Sequence, residues 1–173
     1  MLNKLLSTKF GMRELDDRDN YVNKRIETPG ILCHELFTQL FKKYREYIVN
    51  SIEKKKNSPV DIIQIMSKNS TITSGLLHCF STGNWGVPKT SYIRPGVSQV
   101  MSRLSYGATL SHTRRLCIPT GKEGKNTKIR QINPSQLMFV CPCETPEGQP
   151  VGIVMNFSLL TRVSERSQSY LIM

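Results

Sequence analysis

Apolar residues recur at every fourth position through Leu32, Leu36, Leu40, Tyr44, Ile48 and Ile52, with Phe37 and Phe41 widening the stripe, so a long amphipathic helix is predicted. Thr28 can cap it and Pro29 suits its first turn. The stripe reads as core packing. Glu53-Lys54-Lys55-Lys56 at the far end suits the negative end of the helix dipole, which gives these lysines a structural explanation. Ser58-Pro59-Val60-Asp61 repeats the cap-then-proline start for a short helix through about Met66. A third helix runs from Thr71 or Thr73 to Ser81 and is stopped by Gly83-Asn84. Trp85-Gly86-Val87-Pro88 and Arg94-Pro95-Gly96 force loop, after which Val97–Leu104 can resume as a helix. Ahead of all this, residues Met1–Asp19 show no strong periodicity and read as a connector.

Beyond Ile118 the texture changes. Gly121-Lys122-Glu123-Gly124-Lys125-Asn126 has the composition of a flexible loop, while Lys128–Ile132, Leu137–Val140 and Val151–Leu160 favour strands. The predicted class is α+β, with a helical first half and a β-containing second half dividing near residue 70. There is no internal repeat and no low-complexity tract.

Charge narrows the field of partners. Lys and Arg number 24 against 13 Asp and Glu in 173 residues, a formal net charge of +11. Between Gly86 and Gln131 lie nine basic residues and one acidic residue, Glu123. A merely solvated surface interleaves the two signs, so this run points to a polyanion such as nucleic acid. Five scattered cysteines and the lack of a secretory apolar stretch fit a reducing, intracellular compartment, and no apolar run approaches the roughly 20 residues that span a bilayer. The expectation is a soluble chain of the nucleus or cytoplasm.

Gly121–Asn126, followed by Thr127, has the ingredients of a phosphate loop but not its spacing, since only Lys122 and Glu123 separate the glycines. Lys122, Lys125 and Lys128 fit better as point charges on a phosphate backbone. Arg114 and Arg115 are adjacent, so on a helix they diverge by about 100° and cannot both grip one face; one can pair internally with a carboxylate while the other meets phosphate. Cys141-Pro142-Cys143 lacks the second ligand pair that a structural zinc needs, and Cys141 reads as a buried, inert thiol. The turn Cys141–Gly148 holds Glu144 and Glu147, with two prolines and a glycine stiffening it. Glu144 can cap the turn and Glu147 is the one to project. With no nucleophile or metal ligands beside them, neither is assigned a reaction.

Several of these motifs together resemble the second-largest subunit of multisubunit DNA-dependent RNA polymerase, the bacterial β-type chain and its eukaryotic, archaeal and large-DNA-virus relatives. Asp17-Arg18-Asp19-Asn20-Tyr21 followed by Lys24-Arg25 is similar to the family's entry to the second part of the protrusion. Thr71–Leu76 and Thr82-Gly83-Asn84-Trp85-Gly86 resemble the eukaryotic-type first fork loop and its flank. Gly96–Val100, which includes Gln99, and Leu110–Arg115 are similar to the segment beside the RNA–DNA hybrid. Pro119–Thr127 resembles the second fork loop, Arg130-Gln131 the pair that follows it, and Glu144–Gly148 the Glu-Thr-Pro-Glu-Gly turn. The sequence departs from many members at Gln136, Leu137 and Met138, where they carry His, an aromatic and Gly.

The resemblance implies a protrusion-like helical region over 1–70, a fork-like domain over 71–160 and the start of a further region at 161–173. It implies nucleic-acid contacts by Gln99, Arg114, Arg115, Lys122, Lys125, Lys128, Arg130 and Gln131, and a supporting place for Glu147 near the incoming nucleotide. It also implies that this chain carries no catalytic residue and no metal of its own, the catalytic Mg2+ belonging to the partner largest subunit. Expected partners are that largest subunit, the remaining part of the second-largest subunit, template DNA and the RNA–DNA hybrid, with no membrane. The chain would be a piece of a split subunit, a truncated reading frame or an excised piece, inactive in isolation and part of a nucleotidyltransferase when assembled. The alternative is a stand-alone basic module that binds nucleic acid without catalysis.

Overall fold

The computed structural model describes residues 2–55, 59, 61–86, 93–120 and 127–164, and its backbone gathers into two compact units, Ile26–Met101 and Met1–Arg25 with Ser102–Met173. These are packing units. Helices dominate the first half, and the second carries a two-stranded antiparallel sheet, an α+β arrangement.

Leu2–Lys9 forms helix α1, with no buried residue, where a connector was expected. The unit Ile26–Met101 is built on α2 (Pro29–Lys54), followed by α3 (Ile62–Ser67) and α4 (Thr71–Thr82). Of the predicted stripe, Leu36 and Leu40 are buried and Leu32 packs against them, while Phe37, Phe41 and Ile52 are exposed. The core of this unit adds Cys79 and Trp85, with Ile72, Leu76 and Val97 around it. Gly75 lets α4 approach α2, because a Cβ there would stand 2.4 Å from Leu40 Cδ2. Trp85 packs edge-on to Phe80 at 5.1 Å and donates its indole N–H to Leu32 O at 2.9 Å, so its polar atom is satisfied despite burial. Arg94 and Glu27 form an ion pair.

The predicted caps are corrected in part. Thr28 precedes α2 but makes no side-chain capping bond. Asp61 caps α3 by accepting from Gln64 N; Ser58 and Val60 lie outside the described residues. Gly83 stops α4 as expected, at φ +73° with a Cβ position 2.5 Å from Ser98 O, so only glycine fits.

The other unit differs more from expectation. The helix expected over Val97–Leu104 is absent; α5 instead spans Tyr106–Thr113, started by Ser105, whose Oγ accepts from Ala108 N at 3.1 Å. Strand β1 (Arg115–Cys117) pairs with β2 (Val154–Asn156) in the register Arg115↔Asn156, Leu116↔Met155 and Cys117↔Val154. Lys128–Ile132 is not a strand, because Lys128–Arg130 coils into a 3-10 turn. Leu137–Val140 fails because Met138 sits at φ +73°, and only Val140 bridges, to Phe157. Val151–Leu160 shortens to β2 because Gly152 turns the chain at φ +71°. Val140, Ile153 and Met155 are buried here, together with two polar residues, Gln136 and Asn156. The loop Gly121–Asn126 lies outside the described residues.

Candidate nucleic-acid interface

The turn that carries both carboxylates is fixed to β2 at three successive points. Cys141 N donates to Asn156 O at 2.9 Å. Glu144 Oε1 accepts from Asn156 Nδ2 at 2.8 Å and from Ser111 Oγ. Thr145 Oγ1 donates to Val154 O at 2.9 Å and accepts from Gly152 N at 3.0 Å. Pro146, Glu147 and Gly148 then stand exposed, with Gly148 at φ +81° reversing the chain. Glu144 therefore serves the scaffold and Glu147 projects from it, as the proline-rich sequence suggested.

The expected cations occupy different settings. Arg114 closes the C-terminal end of α5 and is half-buried; its Nη2 donates to Ser158 O at 2.6 Å, Thr161 O at 3.1 Å and Leu159 O at 3.2 Å. The internal partner of the arginine pair is thus a cluster of carbonyls, where a carboxylate was expected. Arg115, on β1, is exposed. Arg130 is half-buried and donates from Nη1 to Gln149 O at 2.5 Å and Val151 O at 2.8 Å, tying the basic 3-10 turn to the stretch that follows Glu147. Lys128 and Gln131 flank it, both exposed. Gln99 belongs to the unit Ile26–Met101, where its Nε2 donates to Gly96 O at 2.9 Å. Lys122 and Lys125 lie outside the described residues.

A cavity of about 510 Å³ opens within the Met1–Arg25/Ser102–Met173 unit, lined among others by Tyr21, Lys24, Arg130, Gln136, Thr145 and Met155. Burial pushes the Tyr21 phenol up from its ordinary 10.0, and Lys24 Nζ lies 4.8 Å from its ring centroid. The phenol donates to Met155 Sδ at 3.7 Å and Gln136 Nε2 to the same sulfur at 3.6 Å, so two good donors share a weak acceptor. Among the described residues no three His, Cys, Asp or Glu side chains converge as a metal site would require, and Cys141 is half-buried, where full burial was expected. No helix among them is long and apolar enough to cross a membrane.

Sequence reasoning passed over Asn156, Ser111 and Thr145. The available signal was the polar Asn156 interrupting the apolar run Ile153-Val154-Met155, since a polar residue inside a buried strand needs a specific partner. Asn156 is 4% exposed and finds that partner in the turn.

Residues 99–163 match the family model for RNA polymerase Rpb2, domain 3, and residues 1–27 that for RNA polymerase Rpb2, domain 2. The chain is 56% identical over 158 residues to a probable DNA-directed RNA polymerase II subunit RPB2 homolog of Invertebrate iridescent virus 6, an alignment covering 91% of this chain and 13% of the relative. It is 42% identical over 174 residues to DNA-directed RNA polymerase II subunit 2 of Arabidopsis thaliana, covering 100% of this chain and 15% of that protein. To the putative homolog of Frog virus 3 it is 40% identical over 163 residues, covering 91% and 13% respectively. The chain thus corresponds to a small part of the length of these relatives.

Proposed function

The chain belongs to the Rpb2 family of second-largest RNA polymerase subunits, and from that premise we propose that it works as the fork region of such a subunit during DNA-directed RNA synthesis. In this reading residues 1–70 form the end of the protrusion, 71–160 the fork and 161–173 the start of the next region. Exposed Arg115, Lys128 and Gln131, with Lys122 and Lys125, meet template DNA and the RNA–DNA hybrid through phosphates, which holds the strands without reading their sequence. Arg114 and Arg130, whose guanidinium groups bind backbone carbonyls, act by shaping the surface that meets the nucleic acid. Gln99 contributes from its own unit.

Glu147 supports the incoming nucleotide. The observation that carries this role is the turn itself: Cys141, Glu144 and Thr145 are bonded to β2 or its flank, and Glu147 is left exposed on the part that reverses. A carboxylate so placed acts from a stiff support and loses little entropy when a ligand arrives. Catalytic Mg2+ has no proposed place among the residues of this chain. That ion is proposed to be held by the largest subunit, which with the remaining part of the second-largest subunit completes the enzyme.

The test is to assemble a polymerase with this chain as its fork and to measure templated RNA synthesis with the chain present, omitted and alone. Synthesis that requires the chain but is absent from the chain alone supports the reading. Assembly that proceeds equally without it, while the free chain binds DNA, supports the stand-alone binding module instead. Within the assembled enzyme, Glu147→Ala should raise the KM for ribonucleoside triphosphates.

A further inference from the structure

Asn156 is nearly sealed from solvent, yet its amide nitrogen has three oxygen acceptors within reach: Glu144 Oε1 at 2.8 Å, Ser111 Oγ at 2.8 Å and Ser111 O at 3.0 Å. An amide carries two hydrogens, so they are shared among three acceptors and the NH2 orientation is fixed. The opposite orientation would set the amide oxygen against the Glu144 carboxylate. Ser111 Oγ in turn donates to Glu144 Oε1, which closes a ring of three side chains from α5, the turn and β2. The backbone of the same asparagine accepts from Cys141 N, so one residue grips the turn at its first position and again three residues later.

We propose that Asn156, through Ser111 and Glu144, is the positioning residue that sets where Glu147 stands relative to the nucleotide. The inference rests on the nucleotide-supporting reading of Glu147 given above and extends it to the residues that act through that turn. Ser111 lies on α5, three residues before the arginine pair Arg114-Arg115. The ring therefore fixes the nucleotide-side turn against the helix that leads directly into Arg114 and, on β1, Arg115. Neither Asn156 nor Ser111 touches substrate in this scheme; both act by holding Glu144. Asn156, 4% exposed, is held in one arrangement by its partners, because losing Ser111 or Glu144 would leave part of its buried amide unpaired.

The test uses polymerase assembled with this chain, with steady-state KM and kcat for ribonucleoside triphosphates as readouts. Asn156→Asp keeps size and shape but replaces the donor with a carboxylate facing Glu144. It should raise nucleotide KM by about tenfold or more, since a misplacement on the order of 1 Å can cost about a hundredfold in rate. Adding Glu144→Gln to Asn156→Asp exchanges donor and acceptor across the same contact and should return most of the lost KM. A lesion that merely loosened the fold would reduce the amount of active enzyme and would not be reversed by that exchange.

Glu147→Ala, measured alongside, separates the two levels of the argument. If it raises KM and Asn156→Asp does not, the positioning role is wrong and the reading of Glu147 stands. If Glu147→Ala leaves KM unchanged, the reading of Glu147 fails and the positioning role falls with it. Should Asn156→Asp not enter the complex, Ser111→Ala removes one side of the ring without adding charge. A several-fold rise in KM is then expected, and an unchanged KM overturns the proposal.

Discussion

Replacing Gly152 by alanine strikes the junction between the basic 3-10 turn and the carboxylate turn. Gly152 has φ +71°, and a Cβ built on it would lie 2.6 Å from Arg130 O, 2.8 Å from Arg130 Cα and 3.0 Å from Arg130 Cβ. Two of these three atoms are backbone, so relief requires moving the chain and not rotating a side chain. The left-handed conformation costs a non-glycine residue about 1–2 kcal/mol, and forcing a methyl into filled space about 1–3 kcal/mol more. Against this, alanine lowers the entropy of the unfolded chain, worth about 0.5–1 kcal/mol. The net expectation is a loss of about 2–4 kcal/mol. In urea denaturation with a slope of about 2 kcal/mol per molar, the midpoint should fall by about 1–2 M.

Gly148→Ala is the matched control, because Gly148 also has positive φ, at +81°, yet nothing lies within 4 Å of its Cβ position. It should show the conformational cost alone, about 1 kcal/mol or less after the entropic offset. Hydrogen exchange of the β1–β2 amides follows the unit that holds Gly152, while Trp85 emission reports on the other. If Gly152→Ala is no worse than Gly148→Ala, the close approach of Gly152 to Arg130 is not a feature of the protein and the steric argument fails.

Met138 is 88% exposed at φ +73°, so Met138→Gly removes strain without losing packing and should stabilise the chain by up to about 1 kcal/mol in the same urea assay. The Tyr21 phenol has a raised pKa in the folded state, so above about pH 10 the unfolded chain releases this proton first; stability present below that pH should decline as pH rises through it, and Tyr21→Phe should remove that part of the decline in alkaline denaturation curves. Arg115→Ala combined with Lys128→Ala should lower the log–log salt slope for DNA binding by roughly 0.7–0.9 for each phosphate contact removed, and an unchanged slope in a salt titration would assign both to the solvated surface. The same titration on Lys122→Ala/Lys125→Ala gives the contribution of the loop they share.

The sequence made α2 and α4 legible because each is long enough for fourfold recurrence to show and each ends at a recognisable stop. Helix α5 escaped, since Tyr106-Gly107-Ala108-Thr109 has weak helix propensity and only Ser105 marks its start. The extended segments were over-read for a different reason. Apolar, β-branched composition states a preference, but a strand exists only where a partner ladder is present; β1 supplies one to Val154–Asn156, whereas Met138 turns Leu137–Val140 out of the extended region before it can pair. The projecting Glu147 was visible in the prolines and glycine of its turn. The ring that fixes the turn was not, because Ser111, Glu144 and Asn156 are joined only by the fold, with 33 residues between the first pair and 12 between the second.

The contact between Gly75 and Leu40 makes two positions answer to each other. A methyl at Gly75 would overlap the end of Leu40, so Leu40, 4% exposed, must turn its tip toward the cavity of about 200 Å³ that it lines together with Gly75. The two substitutions act in opposite senses, Gly75→Ala by displacing the tip of Leu40 and Leu40→Val by leaving a void. Made together, Gly75→Ala and Leu40→Val trade volume across the same gap. Drift at this helix crossing should accordingly favour paired exchange, and a library randomised at both positions should be enriched in combinations of conserved total volume.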